Sequence, residues 1–260
     1  MSLPTISLGT LQVSRLIVGG NPFSGISHQS PERDSEMRAW YTAARLKETL
    51  AECEANGINT AVLRADAHIW RLMEEYWNEG GKIQWLAQTA PEFVSQEASI
   101  DRAIAHGAAG CYLHGGIVDE LVQQGNLARI EALAGRIRSQ GVATGIASHQ
   151  PQIHLALHKA GLPLDFHMVC FYDCGSVHRG AGEHFPPEDP PLAVEAIRQI
   201  TTPCLGYKVF AAGRRDPQEA LQYAYANIKP TDAVVMGVFT KDDPTMVAAN
   251  AKVAREAMEA

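Results

Sequence analysis

The sequence predicts an α/β protein built as a closed (β/α)8 barrel, a TIM barrel, with an N-terminal β-hairpin. Three observations predict it. Short apolar runs alternate with longer amphipathic segments along the whole chain; there are eight such pairs; and polar side chains recur where the apolar runs end. Runs that are too short for a helix and apolar on both faces suit parallel strands buried on both sides.

Residues 5–14, "TISLGTLQVS", read as a hairpin turning near Gly9-Thr10, placed to plug the amino-terminal end of the barrel. The eight strand-like runs are 15–20, 59–64, 83–88, 110–114, 142–147, 165–172, 203–210 and 232–239. Helical patterns follow at 44–57, 68–81, 95–106, 127–140, 151–160, 190–199, 216–228 and 243–257. The first carries Leu46, Leu50 and Cys53 at helical spacing and stops at Gly57; the second carries Ile69, Leu72, Met73 and Tyr76 and stops at Gly80. Asp216-Pro217 and Asp243-Pro244 each place a capping residue before a proline at the first helical position. An open doubly wound sheet is the competitor, but "VGGNPFSG" lacks the G-x-G-x-x-G spacing of its phosphate loop. No linker or finer repeat interrupts the pattern, so residues 1–260 are read as a single barrel domain.

Composition narrows the function. The chain has 260 residues, 46% hydrophobic, and a net charge of −7, which argues against nucleic-acid binding. No apolar stretch approaches the roughly 20 residues of a membrane span. The opening "MSLPTISLGT" has no signal-peptide pattern. Cys53, Cys111, Cys170, Cys174 and Cys204 are scattered and make no C-x-x-C pair, which fits reduced thiols and a cytoplasmic setting. The expected partner is a small-molecule substrate; the oligomeric state is open.

In such a barrel the reaction site lies at the carboxyl ends of the strands. Collected there are Asn21; Arg64, Asp66 and His68; Gln88; His114; His149; Tyr172 and Asp173; Lys208 and Arg214; and Lys241 with Asp242. Each has a plainer reading. Asp66 suits a helix cap, Arg64 and Asp66 an ion pair, and Arg214 with Asp216 a helix-start pair. His154 and His158 suit a solvent-facing helix side, His167 packing against a helix, and His178 and His184 the surface. As a set, however, these groups are costly to desolvate unless they pair or bind something. The expected catalytic groups are Asp66, His68, His114 and Lys208, converging on one cavity. The expected substrate-binding groups are Asn21, Arg64, Gln88, His149, Tyr172 and Arg214. A lysine inside an apolar strand can serve as base, Schiff-base nucleophile or electrostatic clamp. A buried Lys208–Asp66 pair that only holds the mouth is the plainer alternative.

The order of motifs resembles the aldo-keto reductases. "LGTLQVSRLIVGGNPFSG" is similar to their opening hairpin and first barrel strand, "GINTAVLRADAH" to their second strand, and "GCYLHGGIVDEL" to their fourth. "GVATGIASHQPQIHLALHKAGLPLDFHMVCFY" resembles their fifth and sixth strands, and "AVVMGVFTKDDPTMVAAN" their eighth strand and the helix after it. The resemblance implies carbonyl reduction with a nicotinamide dinucleotide phosphate. It would use an Asp, a Tyr, a Lys and a His, of which Asp66 and His114 match. His68 stands at the Tyr position and Gln88 or Thr89 at the Lys position. Ala147-Ser148 stands where the resemblance implies a Ser-Asn pair on the nicotinamide amide, and Met168 where it implies a Gln. The basic cluster expected after the eighth strand is reduced to Lys241.

These departures argue against nicotinamide redox chemistry, because the usual proton donor and the ring's orienting clamp are both replaced. What remains suits His/Asp/Lys acid–base chemistry beside a carbonyl: an isomerase or lyase acting on a sugar-like or hydroxy-acid substrate. Gln88, His149 and Tyr172 would read hydroxyls, and residues 173–189 would form a lid. A divalent metal held by His68, His114, His149 and Asp66 stays open as an alternative, though no compact ligand spacing supports it. So do an NADPH-dependent reductase and a non-catalytic ligand binder. No cofactor is assigned.

Overall fold

The computed structural model of this chain describes residues 3–93, 95–172 and 185–260. Strands β1 (Thr5–Leu8) and β2 (Leu11–Ser14) form the antiparallel hairpin, with Thr5 opposite Ser14 and Gly9 turning at φ +60°. Eight parallel strands then close a ring: β3 (Leu16–Gly19), β4 (Thr60–Arg64), β5 (Gln84–Gln88), β6 (Gly110–Leu113), β7 (Ala143–Ser148), β8 (Phe166–Cys170), β9 (Cys204–Tyr207) and β10 (Ala233–Gly237). Neighbours pair in chain order, and β10 pairs with β3. The predicted barrel and hairpin are therefore present.

Alternation along each strand separates two cores. Inside the ring lie Ile17, Val62, Leu86, Tyr112, Phe166, Met168 and Leu205. Ile6, Leu8 and Val13 of the hairpin join this cluster, so the hairpin does plug one end. Arg15, between hairpin and barrel, locks the plug by donating from Nε to the Asp232 carbonyl at 2.9 Å. Outside the ring, Leu46, Leu50, Leu72, Trp85, Ile130 and Val247 pack strands against helices.

The eight expected helices are α2 (Ala43–Ala55), α3 (Ala67–Asn78), α4 (Gln96–Ala105), α6 (Leu127–Ser139), α7 (Pro151–Lys159), α8 (Asp189–Gln199), α9 (Pro217–Asn227) and α10 (Met246–Glu259). Two more were not expected, α1 (Pro31–Trp40) and α5 (Gly115–Gln123). α1 buries only Met37, so it has no apolar stripe to read; its signal is local, a Ser30 cap on Arg33 N–H with Pro31 at the first position. α5 opens on two glycines, which hide a helix from propensity. Asp216 caps α9 as expected, whereas Asp243 accepts from the Thr245 N–H and α10 starts only at Met246.

Two further expectations change. The run 203–210 stops as a strand at Tyr207, because Lys208 takes φ +60° and turns the chain. His154 does not face solvent: it is fully buried on α7, with Nδ1 3.1 Å from Nδ1 of His167 on β8. The apolar side of α7, with Ile153 and Leu157, carries it inward. Among the described residues the buried Nε2 atoms of both rings have no hydrogen-bond partner. Among the described residues no helix is long and apolar enough to cross a membrane.

The histidine pair sets an acid limit on stability. Burial holds both rings well below the ordinary histidine range, and for His167 the neighbouring His154 adds to it. In the unfolded chain both would protonate near about 6.5. The unfolded state thus binds more protons below that pH, so the contribution is complete above about 6.5 and is lost as pH falls toward the folded values. We expect the urea midpoint to drop between about pH 7 and 5, and the double variant His154→Leu/His167→Leu to flatten this drop. Parallel curves for parent and variant would contradict this account.

Candidate functional site

Strand alternation carries an inward row past the carboxyl ends of the strands. Val62 and Arg64 on β4, Leu86 and Gln88 on β5, and Tyr112 on β6 share this direction. Ala147 on β7, Met168 on β8, Tyr207 on β9 and Val235 on β10 complete the floor of a cavity of about 340 Å3. The cavity continues sideways between residues 208–213 and 237–242, toward Met246 and Asn250 of α10. Its floor is apolar and its rim polar, a usual design for a small-molecule site.

Of the ten expected site residues, Asn21, Arg64, Gln88 and Lys208 line this cavity. Asn21 Nδ2 lies 3.0 Å from Nε2 of His28, itself at φ +56°. The Arg64 guanidinium is held by Glu92 through Nε at 3.2 Å and also through its Nη2, while Asp66 is 3.8 Å from Nε. Arg64 with a neighbouring hydrogen-bonded backbone amide pulls the Glu92 carboxyl below its usual value. Gln88 is within hydrogen-bonding reach of the Tyr112 hydroxyl, and burial pushes that hydroxyl's pKa up, so it stays protonated. Tyr207 is likewise pushed up by burial, and its hydroxyl donates to the Ser148 carbonyl at 3.2 Å.

The other six lie elsewhere. Asp66 caps α3, accepting from the Ile69 N–H at 3.0 Å. His68 sits exposed in the first turn of α3, which leads away from the mouth as the helix begins. His114 caps α5: its Nδ1 accepts from the Gly116 N–H at 3.1 Å. The expected convergence of His68, His114 and Lys208 on one cavity is thus not found, since only Lys208 of the three lines it. His149 lies at the end of β7, bound through Nδ1 to Asp119. Tyr172 packs on Phe185 with ring centroids 5.6 Å apart and walls a neighbouring cleft. Arg214 stacks over Phe185 and donates to the carbonyls of Ala211 and His28, so it ties loops together. His178, His184, Asp173, Cys174 and all but the last residues of the expected lid 173–189 lie outside the described residues.

Tyr112, Tyr207 and Asp119 were not anticipated. Period two offered a signal for the tyrosines, because Tyr112 stands two residues before His114 and Tyr207 immediately before the turn. Asp119 had none, since it belongs to the unexpected helix α5.

Two loops meet over the cavity. Gln29 Nε2 donates to the Ala212 carbonyl at 2.7 Å, and Arg214 reaches the His28 carbonyl at 3.1 Å. The segment they hold is conformationally costly, with Lys208, Ala211 and Ala212 all in the left-handed region without being glycine. α1 forms the facing wall. Its Arg33 pairs with Glu36 at 2.6 Å and with Asp242, and Glu36 also holds Lys241 at 2.6 Å.

These residues depart from what the resemblance implies for a nicotinamide dinucleotide phosphate. Ala147 and Met168 present no polar group to the cavity at positions where the resemblance implies the amide clamp. Ser148 is fully buried and donates to Asp119 at 2.5 Å, away from the cavity. Arg33 on the α1 wall is paired with Glu36 and Asp242, and Lys241 with Glu36. Among the described residues no group of three or more His, Cys, Asp or Glu is placed to hold a metal ion.

No protein-family model and no curated protein matches this sequence. Solved structures do match. A provisionally assigned aldo-keto reductase from Pseudomonas aeruginosa superposes with a TM-score of 0.67 at 17% identity, over 98% of this chain and 95% of that one. The holo form of an aldo-keto reductase from Bacillus halodurans gives 0.67 at 14% identity, over 100% and 95%. An archaeal fructose-1,6-bisphosphate aldolase, with its catalytic Lys covalently bound to the carbinolamine intermediate of its substrate, gives 0.50 at 14%, over 92% and 93%. At such identities the likeness carries the fold alone. The chain thus has a (β/α)8 barrel with an N-terminal hairpin, like the fold of these aldo-keto reductases.

The strained loop can be tested directly. A non-glycine residue in the left-handed region costs about 1–2 kcal/mol, and a glycine there costs about 0.5–1 kcal/mol of chain entropy. Ala212, at φ +55° and ψ +43°, should therefore gain from Ala212→Gly. We expect a rise of roughly 0.5–1 kcal/mol in unfolding free energy. A lower melting temperature for the variant would show that no strain is stored there.

Proposed function

We propose that this aldo-keto reductase-like barrel is an enzyme of the isomerase or lyase type. It would act on a small polar carbonyl or sugar-like compound by acid–base chemistry without nicotinamide. A cytoplasmic, single-domain catalyst with a small-molecule partner is part of the same reading. The observation that carries it is Lys208, where β9 ends, on a cavity that also exposes Arg64, Gln88 and Tyr112 above an apolar floor.

Each group has a role consistent with its surroundings. The Arg64 cation, fixed by Glu92, would attract and orient a carbonyl or carboxylate oxygen. The protonated Tyr112 hydroxyl and the Gln88 amide would complete the oxygen's hydrogen bonds. Lys208 would supply the amine. It can polarise the carbonyl as a cation, or condense with it by losing water to form an imine. The apolar floor, with Val62, Met168 and Val235, keeps water from competing with these contacts.

A second reading, reduction with a nicotinamide dinucleotide, is favoured by one observation: the cavity runs on from Tyr207 to Asn250, farther than a small carbonyl compound needs. Titration of the protein with NADPH, followed by fluorescence, separates the two. The first reading expects no saturable change in the micromolar range, and micromolar binding would restore the reductase.

The lysine is tested by adding borohydride to protein incubated with pyruvate, glycolaldehyde or dihydroxyacetone, then mapping peptides by mass. Reduction of an imine should leave the corresponding adduct on Lys208, and Lys208→Arg should lose it. An unmodified Lys208 with all three compounds would remove the imine route.

A further inference from the structure

The carboxyl end of β7 carries an arrangement that the cavity chemistry above does not use. His149 Nδ1 lies 2.7 Å from Oδ2 of Asp119, and the other carboxylate oxygen accepts from Ser148 Oγ at 2.5 Å. The backbone N–H of His149 also approaches Oδ2, at 3.4 Å. The Asp119 side chain is 6% exposed and that of His149 15%. Burial alone would raise the Asp119 carboxyl; the hydrogen bonds and charge of His149, with Ser148, outweigh it and hold the group below its ordinary value. Asp119 is therefore a carboxylate, which can only accept, so the proton between the two residues belongs to His149 Nδ1. In the neutral ring Nε2 is then left unprotonated, an acceptor.

His149 follows directly on β7, two residues after Ala147, and stands against the cavity wall without being part of the cavity's own lining. Its ring stands edge-to-face with Tyr207, centroids 6.3 Å apart, and Tyr207 walls the cavity. Among the described residues no hydrogen bond to Nε2 is present. Gly115 makes room for the ring, since a Cβ there would lie 3.2 Å from His149 Cε1.

His114, at the end of the next strand, is wired in the opposite sense. Its Nδ1 accepts from the Gly116 N–H, so in the neutral ring its proton is on Nε2. Two adjacent imidazoles thus carry opposite tautomers, one a proton acceptor at Nε2 and the other a proton donor.

We propose that Asp119 and His149 form the proton-accepting dyad of this barrel, with His149 the catalytic base and Asp119 its positioning residue. The role in catalysis rests on the carbonyl-enzyme reading above. His149 Nε2 removes the proton from the carbon beside the substrate's carbonyl. The C–H electron pair becomes a C=C bond, and the carbonyl π pair moves to oxygen, or to nitrogen where Lys208 has formed an imine. The imidazolium so formed is stabilised by the Asp119 carboxylate and returns its proton to the same carbon, which gives exchange; where that carbon bears a hydroxyl, the hydroxyl proton passes to the former carbonyl oxygen and the ring's proton goes to the former carbonyl carbon, which gives isomerisation.

Two measurements on the free protein test the dyad whatever the substrate. Nitrogen-15 NMR of the imidazoles should find neutral His149 protonated on Nδ1, and Asp119→Asn should shift that proton toward Nε2. Diethyl pyrocarbonate, which acylates unprotonated ring nitrogens, should modify His149 at a rate within about tenfold of the exposed His68, and the buried His154 and His167 far more slowly. A parent protein with His149 protonated on Nε2, or left unacylated while His68 reacts, would overturn the proposal. With a carbonyl compound that borohydride traps on Lys208, His149→Gln should cut α-proton exchange in deuterated water by about 100-fold or more while trapping persists. Undiminished exchange would also overturn it. Failure of trapping itself counts against the Lys208 imine, and the dyad is then decided by the tautomer and the acylation.

Discussion

Everything at the mouth depends on alternation inside a closed ring. Because side chains along a strand point alternately in and out, closing eight strands fixes which half of each strand faces the axis. The pairing Arg64↔Gln88 and Gln88↔Tyr112 places three polar side chains of three strands at one level, above a layer with Val62 and Leu86. A slip of one residue would turn all of them into the helix layer. The same rule explains the hairpin. A ring of this size must be filled, and Ile6, Leu8 and Val13 fill one end, so the open end is the one that holds the cavity.

Around this frame the mouth is built from compensated charges. Arg64 is held by Glu92, Lys241 by Glu36, and Arg33 by Glu36 and Asp242. Such pairing lets cations stand beside an apolar floor without a large desolvation cost, and it fixes their positions. It also redirects the far arm of the cavity. On the α1 side of that arm the basic groups are matched by carboxylates of the same wall.

The ring, the hairpin and eight helices were legible in the sequence because burial on both faces leaves a continuous apolar run that composition cannot hide. Parity was legible too, which is why Asn21, Arg64, Gln88 and Lys208 were found on the cavity. What failed was local. Asp66 and His68 follow Arg64 so closely that they seem part of its rim, but a capping aspartate starts a helix, and one turn later the histidine points to solvent. Lys208 was read inside a strand; only a backbone angle that no residue type announces, φ +60° at a lysine, ends the strand there. Asp119 was hidden because α5 begins with two glycines and reads as a loop, so the partner of His149 had no visible element to stand on.

The placement of Asp119 also bears on why two histidines at neighbouring strand ends need not be redundant. A neutral imidazole has one proton, and which nitrogen carries it is decided by the partner of the other. A backbone N–H at the start of α5 obliges His114 to accept at Nδ1, and a carboxylate inside the same helix obliges His149 to donate there. One helix thus sets both tautomers, in opposite senses, at a spacing fixed by the β6–β7 pairing. Proton transfer beside a carbonyl needs an acceptor for the departing proton and a donor for the oxygen or the receiving carbon. Had either partner been of the other kind, both rings would offer the same function at Nε2. The buried acid is therefore better explained by what it does to the ring than by its contribution to stability, since a hydrogen-bonded buried ion pair offers little net gain over an apolar pair of the same volume.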